Sequence, residues 1–191
     1  MSGRFESERL RYRPQGLEDA AALLEAYSDV ELMRYWSSAP KTTVEEVVEY
    51  MRPHVASAEW RGWAVLRKDT GEVIGTLAAG QRRSGVAEIG YMLVRRHWGR
   101  GYAREAVARL LDLLFLEEGR RRVFADTDPD NAASNRLLER LGFHREGLLR
   151  AEWETHIGVR DSVIWGFLRD EWRPARPDRG SGRATNGSDV C

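Results

Sequence analysis

The chain has 191 residues, enough for one domain with a core of its own. Its 30 lysines and arginines balance its 30 aspartates and glutamates, so net charge gives no pull toward nucleic acid or an acidic membrane. The one cysteine, Cys191, excludes an internal disulfide and a cysteine-held zinc.

Met1–Glu6 lacks the apolar stretch of a signal peptide. The most apolar run, Leu110–Leu116, contains Asp112 and is too short to span a bilayer. Both features point to a cytoplasmic protein. In chain order, Arg9–Arg13 alternates as a first strand closed by Pro14, and Leu17–Tyr27 is an alanine- and leucine-rich helix. A break over Ser28–Ala39 carries Tyr35 and Trp36. Val44, Val47, Val48, Met51 and Val55 recur at helical spacing within Thr43–Ala58. Thr43 and Glu46 stand at capping-box spacing there, and Pro53 weighs against the later turns. Trp63–Arg67 and Glu72–Gly80 read as a hairpin turned by Asp69-Thr70-Gly71. Gln81–Gly85 is a polar turn before a strand over Val86–Val94.

Ala103, Val107, Leu110, Leu111 and Leu114 form the apolar stripe of a helix ending near Gly119. Arg122–Asp126 is a strand. Asp130 or Asn131 caps a helix that Gly142 ends, and Phe143–Trp153 and Val159–Leu168 are closing strands. His97 is expected in a surface turn and His144 beside the sheet, neither with a catalytic or metal role. From Arg173 the composition turns to Pro, Arg, Gly, Ser and Asp, which reads as a disordered tail. The order of elements predicts an α+β fold, a mixed sheet with helices on both faces.

Two stretches could carry chemistry. Glu88-Ile89-Gly90-Tyr91-Met92-Leu93-Val94 is a strand that enters the basic turn Arg95-Arg96-His97-Trp98-Gly99-Arg100-Gly101 and then a helix. Such a turn offers backbone N–H groups and the positive end of a helix dipole to a pyrophosphate. Gly99 and Gly101 would equally serve a tight turn with no ligand. No Gly-Lys-Ser/Thr follows, so it is not a Walker loop, and the third glycine of a dinucleotide fingerprint is missing. In the second stretch, Asn131, Ser134 and Asn135 stand at i, i+3 and i+4 on one helix face. They read either as a site for an amide-rich ligand or as a cap and two solvated side chains.

Arg96-x-x-Gly99-x-Gly101 resembles the acyl-CoA-binding motif Gln/Arg-x-x-Gly-x-Gly/Ala of the GNAT acetyltransferases. Several stretches are similar to the RimJ/RimL branch, which includes enzymes acetylating the N-termini of ribosomal proteins. They are Glu88-Ile89-Gly90-Tyr91, the Trp98–Ala103 run with Glu105-Ala106, and Asn131-x-x-Ser134-Asn135 with Leu141-Gly142-Phe143. Glu146-Gly147-x-Leu149-Arg150, Gly158, Asp161 and Leu168 continue the likeness. It covers residues 7–172 as one GNAT domain with a largely antiparallel twisted sheet, leaving 173–191 as the tail.

The resemblance implies acetyl-CoA as acyl donor and no metal. Backbone groups of Met92, Leu93 and Val94 would pair with the pantetheine arm, and one N–H among them would meet the thioester oxygen. The N–H groups of Trp98, Gly99, Arg100, Gly101, Tyr102 and Ala103 would hold the pyrophosphate, helped by Arg95, Arg96 and Arg100. Asn131 and Asn135 would contact the pantetheine. Glu88 stands where many members keep a general base, and it serves equally as a structural carboxylate at a strand edge. Ser134 matches the serine thought to act near the thiolate in RimL-like enzymes. Many members carry a tyrosine one turn later, where this chain has Leu138.

Tyr35, Trp36, Glu152 and Trp153 would wall an acceptor cleft suited to a cationic amine, although core packing also explains each tryptophan. No cysteine or Ser-His pair supports a covalent intermediate, so a primary amine attacks the thioester directly. The acceptor is expected to be a protein N-terminal amine. A small-molecule amine is an alternative, such as an antibiotic, an amino-acid derivative or a peptide-like toxin. A non-catalytic acyl-CoA-binding module is another. A monomer and a homodimer are both compatible with the sequence.

Overall fold

The computed structural model describes residues 3–173, so the expected tail and Cys191 lie outside the described residues. The chain opens with strands β1 (Phe5–Glu6) and β2 (Leu10–Pro14) and a 3-10 turn over Leu17–Asp19. Helices α1 (Ala20–Ser28), α2 (Val30–Met33) and α3 (Val44–Val55) follow. Strands β3 (Trp60–Arg67), β4 (Val73–Arg83) and β5 (Val86–Leu93) lead into a 3-10 turn (Arg95–His97) and helix α4 (Tyr102–Asp112). A π-turn (Leu113–Glu117), β6 (Arg122–Thr127), α5 (Ala132–Leu141), β7 (His144–Thr155) and β8 (Gly158–Leu168) complete the order.

The strands form one sheet in the order β1-β2-β3-β4-β5-β6-β8-β7. Every neighbouring pair is antiparallel except β5–β6. Side chains alternate along β5 and so feed two cores. Ala87, Ile89 and Leu93 pack with Val107, Leu110 and Leu111 of α4 and Leu138 of α5. Met92 and Val94 pack on the other face with Leu23 of α1, Met33 of α2, and Val47 and Met51 of α3. Helices thus cover both faces, as the order of elements predicts.

Local signals set several boundaries. Thr43 Oγ1 accepts from Glu46 N at 3.2 Å, and the Glu46 carboxylate accepts from the Thr43 N–H in return. This reciprocal cap starts α3. Helix α3 runs through Pro53 to Val55, because a proline in the last turn removes one donor and Ala56 N still reaches Arg52 O at 3.1 Å. Gly142, at φ 96°, ends α5 in the left-handed region. Three expectations are corrected. Residues 81–83 continue β4 rather than forming a turn. The break after Ser28 holds α2, capped by Asp29 Oδ1 accepting from Glu31 and Leu32 N–H. The apolar stripe after Tyr102 switches from α-helix to π-turn at Leu113.

Candidate active site

The parallel pair at the sheet's centre is short. β5 and β6 match only at Val86↔Arg122, Ala87↔Val123 and Glu88↔Phe124. β5 stays paired with β4 as far as Gly75↔Leu93, and β6 with β8 as far as Thr127↔Val163. Past Glu88 the two strands therefore part, and one edge of β5 faces a gap. Val94 donates its N–H to Ile74 O at 2.9 Å, on the β4 side. Backbone groups alternate sides along a strand, so the Tyr91 and Leu93 N–H groups face the gap. Leu93 O, on that side, accepts from the Trp98 indole at 2.8 Å. Of the expected segment, Val94 is thus committed to the sheet, Met92 turns the same way, and Leu93 keeps a donor for a ligand.

Below the gap, the turn into α4 is rich in donors. Gly99 and Gly101 stand at φ 74° and 80°, where a side chain would be strained. Among the described residues, no acceptor meets the N–H groups of Gly99, Arg100, Gly101, Tyr102, Ala103 and Arg104. A run of unpaired donors at a helix N-terminus is an anion cradle. A Cβ built on Gly99 meets nothing within 4 Å, so the cradle is open. Trp98 departs from expectation: its N–H already donates to Arg95 O at 2.9 Å. Its ring lies under the Arg95 guanidinium, 5.1 Å away.

Among the described residues, two of the three turn arginines are held in ion pairs. Arg95 forks onto both carboxylate oxygens of Asp29, and Arg96 pairs with Glu25 and Glu72. Arg100 makes no ion pair among the described residues. His97 is a correction: it is 4% exposed, inside the turn rather than on its surface. Its Nε2 lies 3.3 Å from Glu72 Oε1 without hydrogen-bond geometry. Burial pushes its pKa down.

The gap opens into a cleft of about 790 Å³ whose lining includes Glu88, Tyr91, Asp126, Asn131, Ser134, Trp153 and Arg160, and Tyr35 and Trp36 as well. Glu88 pairs with Arg82 Nε at 3.0 Å. Burial pushes its carboxyl above the usual value, Arg82 pulls it down, and Asp126 pushes it up again. Glu88 is thus a half-buried carboxylate whose charge is balanced by one arginine. Asp126 accepts from the Trp153 indole at 2.8 Å and from the Ser162 hydroxyl. A bulge at Ala151, whose φ is 52°, shifts the β7 register before Trp153. Glu152 is exposed and does not line the cleft, because alternation turns it from Trp153's side, so it leaves the acceptor wall.

At the start of α5, Asn131 Oδ1 accepts from Ser134 N at 3.1 Å and caps the helix, while its amide nitrogen stays available in the cleft. Asn135 is corrected from ligand contact to internal brace. Its carboxamide oxygen accepts from Thr127 Oγ1 at 2.6 Å and Trp165 Nε1 at 3.0 Å. Its nitrogen donates to the carbonyls of Asp128 at 3.2 Å and Pro129 at 3.1 Å. Arg160 fixes the same loop, with Nε 2.8 Å from Asp128 and Nη2 2.5 Å from Asp130. Ser134 Oγ lies 2.5 Å from Tyr91 Oη. Sequence reasoning missed Tyr91 and Asp126 as site residues. Their partners lie 43 and 27 positions away, and although Tyr91 stands in the Glu88–Tyr91 stretch, its role depends on that distant pairing.

The described residues hold no group of three histidines, cysteines or carboxylates able to take a metal, and no helix among them is long and apolar enough to cross a membrane. The family model of the acetyltransferase (GNAT) domain matches residues 9–144. The chain is 37% identical over 173 residues to the uncharacterized N-acetyltransferase YoaA of Bacillus subtilis, spanning 86% of this chain and 96% of that one. A GCN5-related N-acetyltransferase from Brucella melitensis superposes with a TM-score of 0.82 at 26% identity, over 90% of this chain and 81% of the other. The [ribosomal protein uS5]-alanine N-acetyltransferase of Escherichia coli is 29% identical over 94 residues, 46% of this chain and 45% of that one. These likenesses define an acyl-CoA-dependent N-acetyltransferase. The chain belongs to the GNAT acetyltransferase family, and its sheet is the GNAT fold.

Proposed function

We propose that the protein moves the acetyl group of acetyl-CoA to the α-amine of a peptide or protein N-terminus, as RimJ/RimL-type enzymes do. The observation that carries the donor side is the row of unpaired N–H groups from Gly99 to Arg104 directly below the parted strands. In this reading the row and Arg100 hold the pyrophosphate. The pantetheine lies along the free edge of β5, paired with Tyr91 as an added strand would be, which leaves the Leu93 N–H to the thioester. Asn131 meets its amides.

The thioester carbonyl then sits in the gap with Leu93 N–H as oxyanion donor. Glu88, through water, takes the proton of the attacking amine, and Ser134 faces the sulfur. Asp126, Trp153, Tyr35 and Trp36 receive the cationic acceptor. The uS5-alanine relative supports a peptide acceptor. Tyr35, Trp36, Asp126 and Trp153 in the cleft lining suit a cationic peptide N-terminus. We place the reaction in the cytoplasm, where a lone cysteine stays reduced.

Thiol release tests the reading, with acetyl-CoA and three acceptors: an alanine-initiated peptide, spermine and an aminoglycoside. Turnover with the peptide alone, and acetyl on its α-amine by mass spectrometry, is the expected result. Turnover only with a small amine would move the assignment to a small-molecule acetyltransferase. Saturable acetyl-CoA binding with no turnover on any amine would favour a binding module.

A further inference from the structure

Ser134 is held with unusual completeness on every side but one. Its N–H is capped by Asn131, and its helix turn is braced by the four hydrogen bonds of Asn135. Its hydroxyl has one protein partner among the described residues, the Tyr91 phenol at 2.5 Å. Tyr91 reaches it from β5, with its ring packed against the α4–α5 core and its backbone N–H facing the gap. A hydroxyl has one proton and two acceptor sites. If the phenol donates to Ser134 Oγ, the serine proton points elsewhere, and the open direction is the cleft that both residues line.

We propose that Tyr91 is a positioning residue that donates to Ser134 and thereby aims the serine proton at the departing sulfur. The inference rests on the reading above, in which the thioester lies in the gap. The amine nitrogen forms the new C–N bond, the C–S bond breaks, and its electron pair stays on sulfur. The amine's proton leaves through Glu88. Ser134 donates a hydrogen bond to the thiolate while accepting one from Tyr91, and CoA takes its proton from water after release. Neither hydroxyl is ionised. Burial pushes the Tyr91 phenol up to about 12, against the pull of its bond to Ser134. A phenol that weakly acidic remains a donor throughout the step. Two hydroxyls in series also polarise each other, so the second strengthens the first.

A double-mutant cycle tests this, with kcat, KM for acetyl-CoA and calorimetric acetyl-CoA affinity measured for Tyr91→Phe, Ser134→Ala and the pair. Tyr91→Phe should lower kcat about tenfold, the worth of one well-placed hydrogen bond, with KM and affinity within about twofold of wild type. Ser134→Ala should lower kcat further, and the double variant should match Ser134→Ala alone, because the phenol acts only through the serine. Losses that multiply in the double variant, or a Tyr91→Phe variant with wild-type kcat beside an impaired Ser134→Ala, would overturn the relay while leaving the donor site in place. Unchanged kcat in Ser134→Ala would overturn both the relay and the serine's place at the sulfur. Loss of acetyl-CoA affinity in Tyr91→Phe would make the phenol a binding group and overturn it as well. The phenyl ring fills the same space, so a shared melting temperature serves as the folding control.

Discussion

Gly99→Glu separates the cradle from the fold that carries it. A side chain at φ 74° costs about 1–2 kcal/mol in backbone strain, and nothing within 4 Å of the new Cβ adds a clash. For a chain of this size that strain lowers the melting temperature by about 2–8 °C, so the variant folds. Its carboxylate enters the space beside the six unpaired N–H groups, where a pyrophosphate would lie. At ~5 Å and an effective dielectric of ~20–80, repulsion from one phosphate charge is roughly 1–3 kcal/mol, or about 5- to 150-fold in Kd. Gly99→Ala carries the same strain without the charge, and should melt at the same temperature while binding acetyl-CoA much closer to wild type. Titration calorimetry on the three proteins, at low and moderate salt, reads the difference. The Gly99→Glu defect should shrink as salt rises. A folded Gly99→Glu protein with wild-type affinity would refute the placement of the pyrophosphate.

Other perturbations reach different parts of the account. Arg82→Gln removes the charge that pulls the Glu88 carboxyl down. The Glu88 pKa should therefore rise, and the acid limb of the kcat/KM profile should move to higher pH; an unmoved limb would take Glu88 out of the base role. Asn135→Ala strips the acceptor from Thr127 and Trp165 and the donors from two loop carbonyls. It should cost about 2 kcal/mol and about 4–8 °C of melting temperature, and a change within one degree would contradict its part as a brace. Trp153→Phe frees Asp126 of its indole donor. KM for the amine acceptor should rise while acetyl-CoA affinity holds, and the reverse pattern would remove Trp153 from the acceptor wall.

What the sequence reveals here is mostly what neighbours in the chain decide. The Thr43–Glu46 cap, the left-handed Gly142 and the glycine turn before α4 each depend on a few adjacent residues, and each reads directly. Pairings over distance do not read in that way. Arg95 looks available until Asp29, 66 positions earlier, takes it up, and Arg96 until Glu72 does. Asn135 has the spacing of a ligand group, yet Thr127 and Trp165 converge on it from two strands. His97 sits in a basic, polar stretch, and only the packing of the turn shows it buried. The parting of β5 and β6 is the least visible feature. Both segments are ordinary strands by composition, and the gap exists because β5 follows β4 while β6 follows β8.

The account turns on where acetyl-CoA lies, and hydrogen exchange reads those amides directly. Native-state exchange should be followed with and without saturating acetyl-CoA, with residue resolution over 86–112. The account predicts that the Tyr91 and Leu93 amides and those of Gly99 to Arg104, which meet no partner among the described residues, gain protection together. The Val94 amide, already bonded to Ile74, should change little. Saturable binding that left the Gly99–Arg104 amides exchanging as before, with protection elsewhere, would contradict it.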